Sequence, residues 1–339
     1  MIIVYPSHHL RHRPPSEIFN GVAEPHAEVP ERIEHIRDAV CAISGVRIVL
    51  PKHFPLSWIE QVHNPNYVSY LAEAGRLAGN QYMYPSVFPY ANHGGVVNAI
   101  AKRGEFTFDM YTPVSSTTYQ VACGSAMAAL TAASVVRRGE RVSYALCRPP
   151  GHHAEVSRMG GYCYFNNAAV AANYLSTRGK VTVLDIDVHH GNGTQHIFYE
   201  RSDVQVINIH ADPKDKFPFF SGGANETGAG LGSMFNTNYP LSLGTADVAY
   251  DRTLVAALKR IREFAPEYLV VSVGYDAHVN DPIGGLRLST PYYRRMASRI
   301  AALNLPTVLV QEGGYNTAKL GLVARTFAEG FLYRQNKLK

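Results

Sequence analysis

The chain has 339 residues, 46% hydrophobic and 17% charged, enough apolar material to bury a large core and to exclude a disordered polypeptide. Its formal charge of +5 is spread along the sequence with no dense Lys/Arg run, zinc-finger spacing or aromatic RNA-binding motif, which speaks against a nucleic-acid partner. The four cysteines lack C-x-x-C spacing, the N-terminal apolar run is too short for a secretory segment, and no run of about 18 apolar residues offers a membrane span, so a soluble cytoplasmic protein with reduced thiols is expected.

Residues 2–5 read as a first strand, and His8, His9 and His12 behind it as a solvated polar loop. Pro30 and Glu31 open a helix that repeats Ile33, Ile36, Val40 and Ile43 at helical spacing. A short strand at 46–50 is followed by two short helices marked by Trp58, Ile59 and Val62, then Tyr67, Val68 and Leu71. From 80 to 118 the helical period vanishes and Tyr, Pro, His and Gly accumulate; structureless insertions this long are usually functional or interactive.

Small apolar residues over 122–136 predict a buried helix, with a strand at 143–147 behind it. Further strands are expected from Val181 and at 204–209, 268–273 and 307–311, alternating with helices such as 251–264 and 291–303. That alternation predicts a parallel sheet with helices on both faces, in a single domain over 1–339.

The strand from Val181 runs into Asp185-Ile-Asp-Val-His-His-Gly-Asn-Gly-Thr194. In open α/β sheets ligands gather beyond the carboxyl ends of the strands. In extended chain, Asp187 and His189 project to one side and can reach one ion. The other strand ends carry His152 and His153, His210, Asp276, and Tyr315 among glycines. An Asp behind a strand is commonly a helix cap, so the joint occurrence carries the weight.

Asp187, His189 and Asp276 supply three N/O ligands and leave positions open, the pattern of a catalytic Zn2+; the same set also accepts Fe2+. His152 and His153 are the acid/base candidates, because imidazole titrates near working pH. Asp185 and Asn192 are their orienting partners, and a carboxylate favours imidazolium more than an amide does. Tyr315 offers a hydroxyl to a developing oxyanion.

Leu146-Cys-Arg-Pro-Pro-Gly-His-His-Ala154, Gly161-Tyr-Cys-Tyr-Phe-Asn-Asn167, the 185–194 segment and Glu312-Gly-Gly-Tyr315 resemble the signature segments of the histone deacetylase superfamily. Within it the chain is most similar to bacterial acetylpolyamine amidohydrolases and class II-like relatives. The resemblance implies an arginase-like fold around an eight-stranded parallel sheet, with Zn2+ on Asp187, His189 and Asp276. It makes His153 the general base and acid, His152 an electrostatic partner oriented by Asp185, and Tyr315 the donor to the carbonyl. Gly161, Tyr162 and Phe217 match the substrate channel, and Arg32 falls in the segment that lines an internal acetate channel.

A structural K+ is implied near Asp185, Asp187, His189, Asn208 and Ile209, largely through backbone carbonyls. There Asn208 stands in place of the usual Ser or Thr, and Asn192 replaces the Asp of many eukaryotic members. Arginase-type binuclear enzymes need a carboxylate where this chain has Gly191, which argues for one metal. The 80–118 insertion resembles a loop that narrows the site and builds a homodimer, and Glu17 matches an acid that meets a polyamine ammonium. Glu105 and Asp109 are insertion acids read either as contributions to a partner's site or as solvated carboxylates. The expected activity is deacetylation of acetylputrescine or acetylcadaverine, with acetyl-lysine peptides or proteins as the alternative substrates.

Overall fold

Each Val, Ile and Leu run expected as a strand forms one; the central strands are buried on both faces, whereas the edge strand at Arg47–Val49 is exposed. The computed structural model describes residues 1–79, 81–87 and 104–336. The chain opens with β1 (Ile2–Val4), a hairpin of β2 (Ser16–Phe19) and β3 (Val22–Pro25), α1 (Glu31–Cys41), β4 (Arg47–Val49), α2 (Ser57–Glu60) and α3 (Pro65–Ala78). There follow α4 (Thr118–Arg137), β5 (Val142–Ala145), α5 (Asn167–Ser176), β6 (Val181–Asp185), α6 (Asn192–Phe198), β7 (Val204–Ala211) and β8 (Asn236–Leu241). The last elements are α7 (Asp247–Phe264), β9 (Tyr268–Val273), α8 (Thr290–Ala301), β10 (Thr307–Gln311) and α9 (Thr317–Asn336).

Eight strands form one sheet in the order β4-β1-β5-β10-β9-β6-β7-β8, every pair parallel. The period of two divides the strand side chains between two cores. Leu184, Ile207 and Leu309 face α1, α7, α8 and α9, whereas Val183, Val206, Val308 and Val310 face α4 and α5. Burying each such side chain contributes about 1.5–3 kcal/mol. This is the arginase-like arrangement that the motifs imply, with its strand ends gathered on one edge.

The alanine-rich α4 is long and apolar enough to cross a membrane by length and composition, but 78% of its most apolar window is buried inside the protein. Its small side chains let it pack closely on the sheet instead.

Two elements escape the periodicity. Edge strand β8 carries Asn236, Asn238 and Pro240, and an edge tolerates what a central strand would not. The β2–β3 hairpin turns on Asn20-Gly21 at φ 48° and 81°, the left-handed pair that favours tight hairpins. The reading of His9 and His12 as solvated is wrong: both are buried. The 3-10 turn Ser7–Arg11 tucks against the body, so that His9 meets Glu34 at 3.1 Å and His12 packs edge-on to Tyr164. Of the 80–118 insertion, residues 80 and 88–103 lie outside the described residues; Met83 bridges to Val114 on either side of them.

Candidate metal centre and active site

β6 ends at Asp185, between β7 and β9, so the segment behind it emerges at the centre of the polar sheet edge. Asp185 Oδ1 accepts the Asp187 N–H at 3.0 Å, and Asp187 Oδ1 accepts the His189 N–H at 2.9 Å. These two-residue turns set both Asp187 and His189 toward Asp276, which follows β9. Asp276 is fixed in turn by accepting the Val188 N–H at 2.9 Å through Oδ1. His189 Nδ1 lies 3.1 Å from Asp187 Oδ1 and 3.3 Å from Asp276 Oδ2.

One ligand atom from each of Asp187, His189 and Asp276 lies within 4.8 Å of the others, and all three residues are buried. Among the described residues Asp276 Oδ2 has no hydrogen-bond donor, although it is shut off from solvent. Burial, reinforced by the Asp187 charge, pushes the Asp276 carboxyl up to about 7. Burial works the same way on Asp187, but His152 and His189 outweigh it and hold that carboxyl below the usual range. Two crowded carboxylates with an unsatisfied oxygen beside an imidazole fit a divalent cation.

Glycine makes the crowding possible. A Cβ on Gly274 would sit 2.1 Å from Asp187 Oδ2, and one on Gly313 would sit 2.0 Å from Asp276 Oδ2. Gly191 has the same constraint: its Cβ would lie 2.4 Å from Asp185 Oδ2, so no second-metal carboxylate fits there.

The histidine pair follows β5, and its rings are 4.0 Å apart. His152 Nδ1 meets Asp185 Oδ2 at 2.9 Å, and His153 Nδ1 meets Asn192 Oδ1 at 2.7 Å. Burial disfavours both imidazolium ions, but Asp185 and then Asp187 overcome it at His152 and raise its pKa to about 10. His153 gains no such partner; burial and the charge on His152 hold it well below the ordinary histidine value. One imidazole is therefore a fixed cation and the other a free base.

A cavity of about 720 Å3 reaches His153, His189 and Tyr315 and is flanked by Tyr162 and Phe217. Phe217 stands edge-on to His153 at 4.9 Å between centroids, and Tyr162 lies 5.8 Å from the Tyr315 ring. Gly161, at φ 54°, presses against His153, where a Cβ would come 2.3 Å from Cδ2. Glu17 reaches the cavity from β2, accepting the Tyr162 hydroxyl at 3.0 Å and the Ala27 N–H at 3.2 Å. Burial raises its pKa. Burial also keeps the Tyr315 hydroxyl protonated, against the pull of Arg32.

The histone deacetylase domain matches residues 26–331. The chain belongs to that family. It is 38% identical to acetylpolyamine amidohydrolase 2 of Pseudomonas aeruginosa, with 98% of each chain covered. It is 39% identical to the acetylpolyamine amidohydrolase of Burkholderia pseudomallei, over 94% of this chain and 95% of that one. A crystal structure of the acetylpolyamine aminohydrolase from Burkholderia pseudomallei superposes with a TM-score of 0.94 at 37% identity, covering 98% of this chain and 99% of the other.

In this histone deacetylase family member the role of Glu312, and Asp281 altogether, escaped the sequence reading. Glu312 is fully buried and accepts the N–H groups of Gly151 at 2.7 Å and His152 at 3.2 Å, which anchors the histidine loop. Burial, opposed by His152, raises its pKa to about 7. Asp281 Oδ2 accepts the N–H of Tyr315 at 2.7 Å and of Asn316 at 3.2 Å, fixing the tyrosine loop. Its only signal in the sequence is one more Asp behind a strand.

Arg32 lies fully buried beneath Tyr315, its guanidinium 4.7 Å from that ring. It donates to Glu28 at 2.5 Å, to the Gly314 carbonyl at 2.5 Å and to the Glu312 carbonyl at 2.7 Å. Arg148 shares the same Glu28 oxygen at 2.8 Å. Asn208 Oδ1 accepts the Gly191 N–H at 3.3 Å while its Nδ2 donates to Asn238 at 3.3 Å, so its side chain is spent on protein partners. Ile209 is packed in the core, leaving only its backbone to serve an ion.

The reading of Asp109 as a solvated carboxylate is wrong. It is buried, and it accepts the Gly161 N–H, together with the Tyr111 N–H and the Thr112 hydroxyl at 3.0 Å each. It props the channel wall from behind. Glu105 is half-buried and is not among the residues that line the cavity.

Proposed function

We propose that the chain is a metal-dependent amidohydrolase that removes acetyl groups from acetylated polyamines such as acetylputrescine and acetylcadaverine, releasing acetate and the free amine. The observation that carries this reading is the Glu17 carboxylate, which shares one aromatic-walled cavity with His153, His189 and Tyr315. A slender aliphatic stem suits Tyr162, Phe217 and Gly161, and a distal ammonium suits Glu17. Relatives named for this activity match over nearly the full chain.

Asp187, His189 and Asp276 would hold the ion, Zn2+ or Fe2+, which when bound supplies Lewis-acid polarisation of the amide carbonyl and a water of lowered pKa. His153 takes the proton from the attacking water at Nε2 and passes a proton to the leaving amine nitrogen. The Asn192 amide fixes this tautomer: its Nδ2 donates to Glu155 Oε1 at 3.0 Å, so Oδ1 accepts the His153 Nδ1–H. His152, held as a cation by Asp185, keeps His153 from protonating early. Tyr315 donates to the carbonyl oxygen as negative charge develops there.

Arg32 is read as the cationic lining of the acetate exit. A structural K+ would rest on backbone carbonyls around Asp185, Asp187, His189, Asn208 and Ile209. Pairing of two copies through the 80–118 insertion belongs to the same reading, as does a cytoplasmic location. The test is kcat/KM of zinc-loaded protein on acetylputrescine, acetylcadaverine and acetylspermidine beside an acetyl-lysine peptide, with Asp276→Ala as the inactive control. A clear preference for the polyamines supports the reading; a preference for the peptide makes a protein deacylase the better assignment.

A further inference from the structure

The cavity holds a charge that a polyamine site does not call for. Lys216, just before Phe217, lines it together with its neighbour Asp215 and the hairpin carboxylates Glu17 and Glu24. It is half-buried, and among the described residues its ammonium makes no hydrogen bond and no ion pair. Burial draws its pKa below the ordinary lysine value, with Asp276 and Asp281 pulling the other way. Residues 88–103 of the insertion include no Asp or Glu.

A linear polyamine brings only positive charge beyond its acetamide, and a like charge in the same enclosed space repels it. A half-desolvated ammonium without a partner is complementary to an anion. A ligand that satisfies Lys216 and the hairpin acids together must carry both signs near the same end. An α-amino acid head group is the smallest unit that does.

We propose that the site takes free ω-acetamido α-amino acids, with Lys216 receiving the α-carboxylate while Glu17 and Glu24 face the α-ammonium. The inference rests on the deacetylase reading above and narrows its substrate class. Nε-acetyllysine is the nearest member: it is acetylcadaverine with one added carboxylate, so the stem and the acetamide are unchanged. Hydrolysis breaks the same amide C–N bond, water giving its hydroxyl to the acetyl carbon and a proton to the amine, and yields acetate and free lysine.

The experiment is kcat and KM of zinc-loaded wild type, Lys216→Met and Lys216→Arg on Nε-acetyllysine and on acetylcadaverine. Lys216→Met should lower kcat/KM for Nε-acetyllysine about ten-fold, mainly through KM, while leaving acetylcadaverine unchanged or improved. Lys216→Arg should restore Nε-acetyllysine turnover, since the charge is kept. Equal losses on both substrates would overturn the inference, because they mark a structural role. Wild type active on acetylcadaverine but inactive on Nε-acetyllysine would overturn it while leaving the polyamine reading intact. Activity on neither would overturn both.

Discussion

His153 Nδ1 and Asn192 Oδ1 meet at 2.7 Å, while the adjacent His152 has a carboxylate, Asp185, in the equivalent place at 2.9 Å. The difference of one amide against one carboxylate separates a neutral base from a fixed cation. Burial and His152 depress the His153 pKa, so His153 remains unprotonated well below pH 6.5. Asn192→Asp supplies a charge that favours the imidazolium and raises that pKa. Because the base must be neutral, the acid limb of the kcat/KM profile should move to higher pH, by about one unit. An unmoved limb would mean that another group controls it.

Tyr315 rests on the Arg32 guanidinium and is held by Asp281 through its backbone, so its ring is placed without help from its hydroxyl. Tyr315→Phe should retain fold and metal content and lower kcat by roughly 100- to 1000-fold, the usual effect of deleting an oxyanion donor. Near-normal turnover would show that a different donor serves the carbonyl oxygen.

Asp276 titrates near 7 in the folded, metal-free protein and near 3.8 in an ordinary setting. Its folded pKa is raised, so its contribution favours folding below about pH 4 and is lost as pH rises through about 7. Asp276→Asn should therefore melt higher than wild type in the metal-free state, with a gap that widens from pH 4 to pH 7, on the order of several degrees. Zinc should reverse the ranking, because only wild type binds it. Calorimetry with and without chelator reads both signs, and a gap that does not change with pH sinks the assignment.

Glu17 gives one oxygen to the Tyr162 hydroxyl and the other to the Ala27 N–H, so its charge is positioned rather than neutralised. Glu17→Ala should raise KM for acetylcadaverine about ten-fold and leave an acetyl-lysine peptide much less affected. Glu17→Gln keeps the side-chain shape, its amide oxygen still accepting the Ala27 N–H while its NH2 donates to the Tyr162 oxygen, and should show the same KM defect, which separates charge from shape. Equal effects on both substrates would remove the reason for assigning Glu17 to the ammonium.

Much of the site was legible because it is local. Asp187 and His189 lie two residues apart behind a buried strand, and the local turns closed by Asp185 and Asp187 set them to one side. Paired histidines after β5 and glycines packed against carboxylates after β9 and β10 are readable for the same reason: parallel strands deliver their ends to one edge. The signature segments then carried the family and the fold.

Strand order and burial decided the rest, and neither is written in any one segment. Asp276 reaches Asp187 because β9 is the neighbour of β6, although 89 positions separate the residues. Glu312 anchors the histidine loop because β10 lies beside β5, and Glu28 joins Arg32 to Arg148 across the core. Asp109 looked like a surface acid until the chain wrapped around it and turned its oxygens to Gly161. Lys216 is one of nine lysines in the sequence and becomes distinctive only as a half-buried member of the cavity lining whose ammonium, among the described residues, makes no hydrogen bond or ion pair. Side-chain direction follows from local backbone period, whereas the environment that sets a group's charge and role is assembled from residues far apart in the chain.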